Sequence, residues 1–182
     1  MKPLGPVNAP IVHPGEVSAE RMFTVPVAAH DLVIDLRAGD LLEAAICGAV
    51  LGAGFDAAWV DLGGLRADPF AYVMPANSPD GSRVAWYSHT HRPEGGGHVQ
   101  FGGVSVGRLA GGDFTHCHGL WEFAGGQALG HLLAPECRLS APIRLQAVGL
   151  KGGGSTGWPT PRRGSICFAL AQWGRGLRPP TR

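Results

Sequence analysis

Charge is scarce in this chain. Asp, Glu, Lys and Arg make up 16% of its 182 residues, while 45% are apolar. A chain so apolar and so weakly charged is not disordered as a whole. Long hydrophobic runs are missing too. No stretch reaches the ~20 apolar residues of a bilayer span, which excludes a helical membrane protein. The first residues, Met1-Lys2-Pro3-Leu4-Gly5-Pro6, hold no apolar signal core, so export is not expected. The four cysteines, Cys47, Cys117, Cys137 and Cys167, form no CxxC. They read as reduced thiols of a cytoplasmic protein.

Acidic residues are missing from one end only. Between Met1 and Leu150, nine basic residues face fourteen acidic ones, a net −5. From Lys151 to Arg182 there are six basic residues and no acid, a net +6. The body is therefore no basic platform for nucleic acid, and DNA contacts are left to the tail.

What is abundant is glycine (29) and proline (15), together about a quarter of the chain. That composition favours many turns and short strands over a helical bundle. Residues 1–20 read as a Pro/Gly-rich N-terminal arm, residues 21–150 as the folded domain, and residues 151–182 as a basic Gly/Pro-rich tail. Within the domain, Arg21–Val27, Leu32–Leu36, Ala57–Leu62, Phe70–Met74, Arg83–Ser88, Val99–Leu109, Phe114–Phe123, Gln127–Leu133 and Ile143–Leu150 read as strands. One clear helix opens at Asp40, a good N-cap with Glu43 three residues on, as in a capping box. Leu41, Leu42, Ala45, Ile46, Ala49 and Val50 would give it a broad apolar face, and Gly52 and Gly54 would stop it. The expected fold is α+β: a single domain with a mostly antiparallel sheet and one main helix packed on it.

The chemistry is carried by histidine, of which there are eight. In a strand, residues i and i+2 share a face, so His116 and His118 project together and Cys117 points the other way. Gly125-Gly126 then turns the chain. A hairpin centred between Ala124 and Gly125 pairs residues whose numbers sum to 249, which puts His131 opposite His118. Directly opposite residues have Cβ atoms about 4.5–5.5 Å apart. Three imidazoles on one patch make a site for a divalent ion, zinc being the expected one, with a fourth position open to water or a small ligand. The bland alternative is a wet strand face bearing polar residues. A register slip of one residue would turn His131 to the other face. His89 and His91, with His98 beyond a glycine-rich loop, form either a second site, part of the same pocket, or solvated loop histidines. Cys117 and Cys137 read as small buried apolar residues rather than ligands.

The run Phe114-Thr115-His116-Cys117-His118-Gly119, then Gly125-Gly126, then Gly130-His131-Leu132-Leu133 and Cys137, resembles the PPC domain, the "plants and prokaryotes conserved" domain. Arg37-Ala38-Gly39-Asp40, Gly54-Phe55-Asp56-Ala57-Ala58-Trp59-Val60 and Leu62-Gly63-Gly64-Leu65 fit the family's order of elements, so the resemblance covers about Arg21 to Leu150. Leu129 stands where the family pattern has the first glycine of GGHL. The resemblance implies an α+β fold assembled as a homotrimer, with metal bound by residues matching His116, His118 and His131. It also carries an association with DNA, through an AT-hook beside the domain in plants. Here Gly174-Arg175-Gly176-Leu177-Arg178-Pro179 has Leu177 inserted, which breaks the compact Arg-Gly-Arg-Pro that enters a minor groove.

Three functions follow. The first is a trimeric metal-binding protein open to a small ligand, with Glu136, Glu122 or Asp113 as a proton-handling acid if it is an enzyme. The second is a DNA-associated regulatory protein, and the third a non-catalytic structural assembly module. A membrane partner is not expected.

Overall fold

In the computed structural model, residues 26–77, 79, 86–109 and 112–152 are described. The N-terminal arm, nearly all of the basic tail, Cys167, most of the turn at 78–81, and parts of the strands expected over Arg21–Val27 and Arg83–Ser88 therefore fall outside the described residues.

The chain runs β1 (Ala28–Leu36), α1 (Leu42–Gly52), β2 (Ala57–Asp61), β3 (Arg66–Ala67), β4 (Tyr72–Val73), β5 (Pro75–Ala76), β6 (Trp86–Tyr87), β7 (Gly97–Leu109), β8 (Gly112–Phe123), β9 (Gly126–Leu132), a 3-10 turn at Ala134–Glu136, and β10 (Ile143–Lys151). Eight strands form one sheet in the order β1-β10-β2-β7-β8-β9-β4, with β3 also on β7; β5 and β6 pair separately. Every pairing is antiparallel. Among the described residues the fold is thus strand-rich with one α-helix, rather than a balanced mixture of the two.

Alternation sorts the sheet into two faces. Ile34 and Leu36 of β1, Val60 of β2, Val104 and Val106 of β7, Trp121 of β8 and Leu145 of β10 are buried on one face. Helix α1 lies on that face and buries Leu42, Ile46, Cys47 and Val50, the spacing of a single helical stripe. Thr115 of β8 donates from Oγ1 to Oε1 of Glu43 at 2.6 Å, tying helix to sheet.

The start of α1 differs from the expected cap. The helix begins at Leu42, Leu41 is the N-cap residue, and no side chain caps it. Oδ2 of Asp40 instead accepts the backbone N–H of Arg37 at 2.8 Å, closing the turn before the helix. Leu41 is held by a bridge to Arg138. Asp40 is one residue too early because its carboxylate is already spent on the turn.

Cys47, Cys117 and Cys137 are free and buried. Among the described residues, no helix is long and apolar enough to cross a membrane.

Candidate metal centre

The helix-free face of the sheet carries the site. β8 and β9 form a hairpin across Ala124 and Gly125, and His118 pairs directly with His131, Gly119 with Gly130 and Leu120 with Leu129. This is the register read from the sequence. It is fixed by glycine: Gly125 sits at φ +108 and Gly126 at φ +156, a backbone that L side chains rarely adopt. His116 lies beyond the end of β9 and pairs with Ser105 of β7 instead.

The three imidazoles meet. His116 Nε2 and His118 Nε2 are 2.7 Å apart, and His131 Nδ1 is 3.5 Å from His118 Nε2. Their ring centroids are 4.6, 4.9 and 5.0 Å apart. All three offered nitrogens lie within 4.8 Å of one another, and among the described residues no other group of three His, Cys, Asp or Glu residues does so. Donors held about 2.0–2.1 Å from a tetrahedral ion stand about 3.3 Å apart. The observed 2.7 and 3.5 Å bracket that value, and the remaining pair lies within 4.8 Å, so side-chain adjustments on the order of 1 Å would seat a divalent ion.

The electrostatics suit ligation. Burial pushes His131 down to about 4, helped by the neighbouring His116 and His118. His116 is lowered by burial and then by His118. Lowered values keep these rings neutral, the state in which an imidazole nitrogen can bind a metal. Cys117, between the two histidines in sequence, points into the core and is pushed up to about 12 by burial. It is no ligand.

Cross-strand neighbours build the surroundings in rows. Asp61, Gly103, His118, His131 and Val73 lie side by side on successive strands. The next row toward β9's start is Phe101, Leu120 and Leu129, an apolar ridge with Phe101 60% and Leu129 64% exposed. On the other side, Trp59 pairs with Ser105 and Ser105 with His116. The indole of Trp59 lies on Gly103: a Cβ there would fall 2.1 Å from Cζ2 of Trp59. Phe114 stacks beside His116 at 6.4 Å between centroids. Tyr87 leans on His131 at 5.7 Å.

The other singled-out residues lie elsewhere. His91 stacks on Tyr72 at 5.0 Å and 17°, and His89 packs on His91 at 4.3 Å. Tyr72 is buried opposite Leu132, so this stack belongs to the core face, away from the three histidines. His91 is therefore neither a solvated loop residue nor part of the candidate site. His98 meets Gln100, which in turn donates to Glu122. Glu136 pairs with Arg92. Asp113 alternates with His116 and so projects to the helix face. None of the three acids considered from the sequence sits beside the imidazoles. Trp59, Phe114 and Tyr87 escaped the sequence reading. The signal for Trp59 was present: alternation sets it against Ala58 and Val60, on the outer face. Tyr87 comes from a distant strand and carried no local signal.

No protein-family model matches the chain, and no curated protein matches it. Solved structures do match in fold. A plant- and prokaryote-conserved (PPC) protein of Pyrococcus horikoshii is 17% identical over 72% of this chain and 86% of its own, with a TM-score of 0.56. A metal-containing protein of Archaeoglobus fulgidus is also 17% identical, over 73% of this chain and 87% of its own, with a TM-score of 0.56.

Proposed function

We propose that this chain, which has a PPC-like fold, is a metal-binding protein whose His116, His118 and His131 hold one divalent ion, zinc by preference, with a coordination position open to a small ligand. The observation that carries the reading is the convergence of three imidazole nitrogens within 4.8 Å on one hairpin face. An ion bound there would supply positive charge and Lewis acidity to whatever fills the open position. The chain's own residues do the rest. The β8–β9 register aims the rings, and burial keeps His116 and His131 uncharged. The Archaeoglobus neighbour is described as metal-containing, which agrees.

A homotrimer completes the reading. Phe101, Leu120 and Leu129 offer an exposed apolar ridge across three strands, a surface that association with further copies would cover. Three free buried thiols fit the cytoplasm. A DNA-associated role would rest on the basic tail, since the body carries −5.

Elemental analysis of the purified full chain tests the proposal. About one divalent ion per chain is expected, lost in the His116→Ala/His118→Ala variant while the trimer persists in sedimentation. An ion-free wild type, or an ion retained by the double variant, overturns the metal reading. Loss of the trimer along with the ion would favour the assembly module, with the ion as a structural staple.

A further inference from the structure

The three-histidine site is unusual in what surrounds it. Resting on the metal reading above, we infer that its open position takes a carboxylate borne on a flat, aromatic body.

The anionic half follows from charge. Three neutral imidazoles leave the +2 of a divalent ion uncompensated. Among the described residues, the acids sharing this face on β2, β7, β8 and β9 are Asp61 and Glu122. Asp61 is two strands from His118, with Gly103 between them, about 10 Å at the usual strand spacing. Its Oδ1 already accepts the N–H of Gly63 at 2.8 Å. Glu122 lies four residues along β8, about 13 Å away, and accepts from Gln100. Among the described residues no side chain on these strands supplies negative charge at the ion, so an anionic fourth ligand is favoured over a neutral one. A cationic ligand would be repelled.

The aromatic half follows from the walls. Phe114 and Tyr87 lie against His116 and His131, and Trp59 covers Gly103, the cross-strand partner of His118. Trp59 is 40% and Tyr87 50% exposed, unlike the fully buried Trp121 and Phe70 of the core. The indole of Trp59 occupies the space over Gly103 only because Gly103 has no side chain. Exposed rings around a polar centre favour a planar apolar body, which stacks on them while its charged end reaches the ion.

The full chain loaded with cobalt(II) reads both halves, since the visible spectrum of cobalt reports its ligands. Cobalt uptake, abolished in His116→Ala/His118→Ala, is checked first. The loaded protein is then titrated with benzoate, acetate and benzylamine. Benzoate is expected to shift the spectrum and to bind about tenfold more tightly than acetate, and benzylamine not to bind. Trp59→Ala should bring benzoate close to acetate while leaving cobalt uptake and the acetate affinity unchanged. Equal affinities for benzoate and acetate, binding of benzylamine, or a Trp59→Ala variant that binds benzoate normally would overturn the inference while the metal site stands. Failure of the wild type to take up cobalt would overturn the metal reading, and the inference with it.

Discussion

Gly130→Ala is the substitution that probes most sharply how the fold holds the site. Gly130 precedes His131 and lies opposite Gly119. A Cβ at Gly130 would fall 2.4 Å from the carbonyl oxygen of Val73. Ordinary contact begins near 3.4 Å, so β4 and β9 must part by about 1 Å. The obstacle is backbone, and no rotamer relieves it. Parting endangers the pairing of Tyr72 with Leu132 and of Val73 with His131. Losing that short ladder and forcing the extra methyl into place costs about 2–3 kcal/mol. His131 moves with β9. A ligand set tolerates about 0.5 Å of misplacement, so metal affinity should fall at least about tenfold. Gly107→Ala is the control: it lies in β7, and a Cβ there meets nothing within 4 Å. It should be neutral or stabilise by about 0.5 kcal/mol, since glycine in a strand is entropically costly. Urea unfolding of both variants at equal protomer concentration, with chelator competition for the metal, decides. If Gly130→Ala matches Gly107→Ala in stability and metal affinity, β4 does not press on Gly130 and the account of His131's placement is wrong.

Two further outcomes are expected. In the metal-free protein, His131 titrates near 4 against about 6.5 in the unfolded chain. The unfolded state therefore binds more protons between those values, and stability should fall as pH drops from about 6.5 toward 4, then stop falling on this account. Thermal melts across that range check the sign; stability that rises on acidification contradicts it. Cys47, Cys117 and Cys137 are buried, with thiols pushed up to about 11, 12 and 11. All three should resist a thiol reagent at pH 8 until the chain is unfolded; rapid native labelling of Cys117 would contradict its inward orientation.

The site was more legible than its setting. The period of two along β8 and the glycine pair at the turn are local properties, and together they fix which residues face each other. They were enough to bring His118 to His131. The cap at Asp40 misled because two local motifs competed for one carboxylate, and the turn at Arg37 took it. His89 is an exposed loop residue, one of the alternatives the sequence left open, whereas the place of His91 depends on Tyr72, far away in sequence. The aromatic walls depend on strand order, which lays β2 beside β7, and on the separate pairing of β5 with β6 that carries Tyr87. Neither leaves a mark that a pattern of period two would show.

The central claim is tested most directly by anomalous diffraction from crystals of the full chain at the absorption edge of zinc. One peak is predicted about 2.0–2.1 Å from a nitrogen of each of His116, His118 and His131. Absence of any peak there under zinc-replete conditions, or a peak coordinated by other residues, would contradict it.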